Sequence, residues 1–347
     1  MGRRGKGPRR QPPSSVAEAL ERFDTRFEEG EMEAALEVAE AGLRLAPGEA
    51  GLHHARGLAL WGLERHAAAA EAMMRALELD PALPDPHLDL AALRIDPLDA
   101  PLDALRGLKA ARRALSAPEL RAAAHVLAGR AWLALEDPRT AEKEVRKAVK
   151  LQPEDGEIRA ELAEAQVEAG NLARAQETLR EALALDPGLV RARWLLAVLL
   201  DRDGDPAAVA AFEEAARTDP DACFVPERLD DAAFDLQVEK ALAAVPPRFR
   251  RHLRNTEIAV EPYPSESFVR DHQVSPLILG LFLGTPLTQR TFELEDLPPR
   301  IIVFQRNLEN CCRNRRELVR EIGITLRHEI GHLLGMEEDD LEDAGHA

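Results

Sequence analysis

The sequence predicts a multidomain chain in which an all-α array of antiparallel helix pairs precedes a small α+β domain. Three observations carry this. Prolines that follow helix-like segments recur at Pro47, Pro81, Pro118, Pro153, Pro187 and Pro220, at intervals of 34, 37, 35, 34 and 33 residues. Within these units small residues hold fixed offsets of 12 and then 7, as Gly57, Ala69, Ala76, as Gly129, Ala141, Ala148, and as Ala163, Ala175, Ala182. After Pro220 the pattern gives way to β-branched runs bounded by turn residues and proline, which mark strands.

Composition bounds the answer. The chain has 347 residues, about twice one typical domain. With 45% hydrophobic and 31% charged residues it is not disordered as a whole. Aromatics are only 4%, so Ala, Leu and Val must build the core. Residues 1–15 hold five basic side chains and no acidic ones, which leaves a net charge of −22 on residues 16–347. Such a body repels nucleic acid and anionic lipid, so neither is an expected partner. Residues 1–15 read as a disordered basic tail. They contain no apolar run of the signal-peptide type, and Lys6 stands where a myristoylation signal has Ser or Thr. The longest apolar stretches, 194–200 and 274–284, are too short to span a bilayer. Three cysteines, with Cys311 and Cys312 adjacent, make no disulfide framework and suit the cytoplasm. The adjacent pair has no further cysteine or histidine at zinc-ribbon spacing and reads as structural.

The array is expected over residues 16–220, in about six units. Helices pack closely only where facing side chains are small, and a proline ends the second helix of each pair. Gly30, Gly170 and Gly204 fall between the two helices of their units. These features resemble the tetratricopeptide repeat, which implies a superhelical solenoid whose concave surface binds a protein or peptide partner. The third unit is degenerate, crowded by Pro84, Pro86, Pro97 and Pro101. His53 and His125 each stand four residues before a unit's glycine, where the repeat family carries a packing residue, so they read as framework. His54, His66 and His87 lack partners at ligand spacing and read the same way.

The α+β domain is expected over residues 221–347. Asp230–Val245 reads as an amphipathic helix stopped by Pro246 and Pro247, while 257–261 and 300–305 read as strands. Between them Ser275-Pro-Leu-Ile-Leu-Gly-Leu-Phe-Leu-Gly-Thr-Pro286 reads as a buried loop or short strand. The last long helix is expected to start at Asn314, with Glu317 at capping-box spacing, and to stop at Gly335.

That helix contains Thr325-Leu-Arg-His-Glu-Ile-Gly-His-Leu-Leu-Gly335. His328 and His332, four apart, share a helix face and can share a metal. Val319, Ile322, Leu326, Ile330 and Leu333 are expected to face the core and turn both imidazoles to a cleft. Glu329, rotated by about 100°, points beside the metal and suits a general base for the attack of water on a peptide carbonyl. An open catalytic site needs a third protein ligand. The candidates are Glu338, Glu337, Asp339, Asp340 and His346, with Glu338 three residues beyond Gly335, where HExxHxxGxxH enzymes place their third ligand.

Residues 230–345 resemble the minimal bacterial zincin-like metallopeptidases, whose pattern is HExxHxxGxxD. The resemblance rests on 277–287, on Leu297-Pro-Pro-Arg-Ile301 and on His328 to Gly335. It implies a compact zincin fold, zinc on His328 and His332, and Glu329 as base; Glu338 stands where the family has Asp. The leading function is therefore a zinc metallopeptidase whose repeats recruit a protein substrate or regulator. The alternative is a non-catalytic repeat adaptor with a structural or vestigial zinc site. A third reading, a metal-dependent ribonuclease, meets the acidic surface and the wrong residue at Glu329.

Overall fold

The computed structural model describes residues 13–289 and 299–336. Six helix pairs come first: α1 (Val16–Glu28) and α2 (Met32–Leu45), α3 (Ala50–Gly62) and α4 (His66–Leu79), α5 (Asp85–Ile95) and α6 (Pro101–Ala110), α7 (Pro118–Ala134) and α8 (Pro138–Leu151), α9 (Gly156–Glu168) and α10 (Leu172–Leu185), α11 (Val190–Arg202) and α12 (Ala207–Thr218). The chain divides into two compact units between Ala165 and Gln166. The change of sequence pattern near Pro220 therefore lies inside the second unit.

In the first unit the small residues do what their spacing requires. Ala69, Ala76, Ala141 and Ala148 are wholly buried. A Cβ on Gly57 would stand 2.8 Å from Met73 Cγ, so the two helices of that pair meet at van der Waals distance. The turn inside each pair adopts a left-handed residue once per repeat, at Gly30, Glu64, Asp99, Glu136, Gly170 and Gly204. Only three of the six are glycine.

The third pair is shortened to 11 and 10 residues and runs on into a 3₁₀ turn at Ala111–Arg113. Pro86 and Pro101 stand in the first turns of α5 and α6, where a missing N–H costs nothing.

Four histidines of the array, His53, His54, His87 and His125, make framework contacts. His53 bonds the Pro47 carbonyl and His87 the Pro81 carbonyl, both at 3.0 Å. Arg159 and Arg193 make the same six-residue tie to the carbonyls of Pro153 and Pro187. His54 meets Asp89 at 2.7 Å and His125 meets Glu144 at 2.9 Å.

The second unit continues through α13 (Asp231–Ala244), the short α14 (Pro247–Arg250), β1 (Glu257–Glu261), α15 (Glu266–His272), β2 (Gly280–Leu283), β3 (Arg300–Phe304), α16 (Gln305–Cys311) and α17 (Arg315–Leu334). The sheet order is β1-β3-β2, with β1 parallel and β2 antiparallel to β3. Central β3 is apolar on both faces because both are covered: Ile301, Ile302, Val303 and Phe304 are wholly buried. Ile301 and Val303 pack with Leu318, Ile322, Leu326 and Ile330 of α17 and with Phe234 and Val238 of α13. Phe304, on the other face, meets Phe268 of α15 edge-on at 5.6 Å. Val319 does not join this core. It is 40% exposed, and Leu318 takes the inward place one residue earlier, in step with Ile322, Leu326 and Ile330 at intervals of four.

The last array helices are bonded into this domain. Arg202 donates to the carbonyls of Pro264 and Pro276, and Tyr263 donates its hydroxyl to Asp201. Arg228 bridges Asp201 at 2.8 Å and Glu309 at 3.1 Å. The Glu309 carboxylate is buried yet satisfied, also accepting from Leu229 N, Gln305 and Arg306. Among the described residues no helix is long and apolar enough to cross a membrane.

Candidate functional site

Helix α17 is fixed at both ends. Asn314, in extended conformation, accepts from the N–H groups of Arg316 and Glu317, and Glu317 reaches back to the N–H of Arg313 at 2.9 Å. This reciprocal cap contributes about 1 kcal/mol. At the other end Gly335 is left-handed (φ 86°), and the N–H groups of Gly335 and Met336 bond the carbonyls of His332 and Gly331. A Cβ there would collide with Thr288, from the 3₁₀ turn Leu287–Gln289 that passes under the helix end. Glycine is thus required twice, by backbone conformation and by the crossing turn.

Between these caps the helix aligns His328 and His332. Their Nε2 atoms are 3.0 Å apart and their rings are nearly perpendicular, at 82°. Zinc–nitrogen bonds are about 2.0–2.1 Å, so one cation can lie within bonding distance of both. Both imidazoles are partly exposed, while Glu329 is only 6% exposed. The glutamate lies against the start of β2: a Cβ on Gly280 would stand 3.3 Å from Glu329 Cγ and 2.7 Å from Thr325 Cγ2. Gly280 is therefore the seat of Glu329. The sequence offered one signal for it, an isolated glycine in an apolar strand-like run, which marks close approach of another element.

The position of β2 adds a second feature. Phe304 donates to the Leu279 carbonyl, and the register pairs Leu281 with Ile302 and Leu283 with Arg300. In an antiparallel ladder alternate residues bond the partner strand, so Gly280 and Phe282 direct their N–H and C=O groups away from β3. Among the described residues this edge of β2 is unpaired, and Gly280 on it lies against Glu329.

Among the described residues no third metal-binding side chain joins His328 and His332. Glu338, Glu337, Asp339, Asp340 and His346 lie outside the described residues, as do Leu297 and Pro298 of the 297–301 stretch.

The zincin-like metallopeptidase family matches residues 253–346, and tetratricopeptide repeats match residues 50–83 and 132–199. Among solved structures, the type IV pilus biogenesis factor PilW is similar at 16% identity, over 59% of this chain and 93% of that one, with a TM-score of 0.52. PilF of Pseudomonas aeruginosa is similar at 17% identity, over 59% and 92%, with a TM-score of 0.51. A thermophilic repeat protein of Thermus thermophilus matches at 22% identity, over 54% and 99%, with a TM-score of 0.46. The first two likenesses establish the helix-pair fold alone. No curated protein matches the chain. The chain joins tetratricopeptide repeats to a domain of the zincin-like metallopeptidase family.

Proposed function

We propose that the C-terminal domain, residues 221–347, hydrolyses peptide bonds with the aid of zinc, and that the repeats of 16–220 bring in a protein substrate or regulator. The observation that carries the reading is the convergence of His328 and His332 at 3.0 Å, with Glu329 on the same helix seated against Gly280 of β2. Two imidazoles on one helix face suit a zinc ion, and in this reading a carboxylate from Glu338 completes the set. Zinc, when bound, supplies a Lewis acid that polarises a carbonyl and acidifies water. Glu329 accepts the proton from the attacking water and returns it to the leaving amine. Its burial keeps bulk water from competing for that carboxylate. The open edge of β2 lines up the substrate: an extended peptide can pair with the backbone of Gly280 and Phe282 and so pass beside Glu329.

The test separates metal from base. Purified protein should hold about one zinc per chain, and His332→Ala should lose it. Glu329→Gln should retain zinc yet lose hydrolysis of a peptide library by roughly 10²-fold or more. Zinc persisting in a His328→Ala, His332→Ala double variant would remove the site. Full activity in Glu329→Gln would remove the mechanism. A zinc-loaded wild type that cleaves no peptide or protein would favour the repeat-adaptor reading instead.

A further inference from the structure

Cys311 is the last residue of α16, and Cys312 caps that helix in extended conformation (φ −118°, ψ 126°). Cys311 is exposed, whereas Cys312 is buried in the core beside Leu308, Leu318 and Ile322. Their sulfurs are 3.7 Å apart, within S–H···S contact. One cysteine is therefore exposed as a residue, its part-buried sulfur donating to the Leu308 carbonyl at 3.2 Å, while a second, buried, stands against it. A structural cysteine in a core needs no such partner.

The electrostatics are unequal in the same sense. The hydrogen bond from Cys312 holds the Cys311 thiol below the ordinary cysteine range, against burial and the nearby Glu321 and Glu317. That bond, followed by burial, pushes the Cys312 thiol up. The third cysteine, Cys223, is buried, and burial pushes its thiol up as well. Thiolate character and access decide which cysteine reacts. Cys311 has both.

We propose that Cys311 and Cys312 form an oxidisable dithiol that is modified by hydroperoxides. The Cys311 thiolate attacks the peroxide: an S–O bond forms, the O–O bond breaks, and the displaced oxygen leaves as water or an alcohol after taking a proton. Cys312 then attacks the sulfenic sulfur of Cys311. The S–S bond forms, the S–O bond breaks, and the hydroxide leaves as water with the proton of Cys312. Two thiols give up two electrons and two protons, and the hydroperoxide takes them up. Closure brings the sulfurs from 3.7 Å to about 2.05 Å. Neighbouring Cα atoms are about 3.8 Å apart, below the usual span of about 4.4–6.8 Å for bridged cysteines, so the bond is strained and easily reduced. The modification is reversible, and it acts on a side chain that packs against α17.

The full-length Cys223→Ser protein, purified with its zinc, is treated with one equivalent of hydrogen peroxide and followed by mass spectrometry. The expected product has lost about 2 Da, carries a Cys311–Cys312 link in its peptide map, and returns to the starting mass with dithiothreitol. Adding Cys312→Ser should leave a sulfenic acid of about +16 Da that dimedone traps. Adding Cys311→Ser should slow peroxide consumption by roughly tenfold or more. Equal rates with and without Cys311, or sulfinic acid at Cys311 with no loss of 2 Da, would overturn the proposal. So would a Cys311-linked dimer as the main product.

Discussion

Gly335 shows how one position can be held by two constraints at once. Gly335→Ala must adopt a left-handed backbone, at about 1–2 kcal/mol, and must push Thr288 aside, at about 1–3 kcal/mol more. The expected loss is about 2–5 kcal/mol in a urea titration of the second unit. Pairing the change with Thr288→Ala should recover part of it, because only the collision is relieved. The sequence marks Gly335 as a helix stop, but nothing near it in the chain announces Thr288, which lies far upstream. Glu168 is a second case of this kind. Burial pushes its carboxyl above the usual glutamate range, and a hydrogen bond with Ser275 offsets this only in part. The folded state then holds the proton more tightly than the unfolded chain. The resulting stability is full below the unfolded value of about 4.3 and is lost as pH rises through the raised folded value. Glu168→Gln should flatten that decline in a series of thermal melts from pH 4 to about pH 8.

At the scale of elements, the turn inside each repeat makes the sharpest prediction. Glu64 and Glu136 adopt φ of 59° and 56° where Gly30, Gly170 and Gly204 stand in other repeats. Each glutamate bears a left-handed cost of about 1–2 kcal/mol, against about 0.4–1 kcal/mol of chain entropy that glycine adds to the unfolded state. Glu64→Gly and Glu136→Gly should therefore each stabilise the first unit by about 0.5–1 kcal/mol, raising its Tm. The glycines were legible as turns, yet the glutamates were not, because their left-handed conformation goes with backbone bonds at the helix end, Arg65 N–H to the Leu60 carbonyl and Asp137 N–H to that of Trp132, which any side chain allows. The same divide runs through the C-terminal domain. Helix α17 reads directly from Asn314, Glu317 and Gly335, since caps and stop are local chemistry. Helix α16 does not read at all. It buries Gln305, Asn307, Glu309 and Asn310, and the partners that make this tolerable, among them Arg228 and Leu229, lie some eighty residues away.

At the scale of the whole molecule, the change of pattern at Pro220 and the boundary of compactness at Ala165 mark different things. The first marks where the repeat chemistry ends, the second where contacts thin out. Asp201 and Arg202 belong to the last repeat, yet they bond Tyr263, Arg228 and the carbonyls of Pro264 and Pro276. A fragment from Asp221 to Ala347 forfeits these bonds, each worth about 1.5–3 kcal/mol where a charged group takes part. A fragment from Gln166 to Ala347 keeps them. The longer fragment should unfold cooperatively at a clearly higher urea midpoint by circular dichroism. Equal midpoints would mean that the last repeat contributes nothing to the domain's stability.

The ties from His53, His87, Arg159 and Arg193 to proline carbonyls each close a loop of only six residues. A block of 34 residues lifted from the array carries its own tie, and what it must find in a neighbour is confined to cross-repeat pairs such as His54–Asp89. Duplication or loss of a block in the gene then changes the span of the array in whole steps. The lineage of such a chain can adjust its reach by counting.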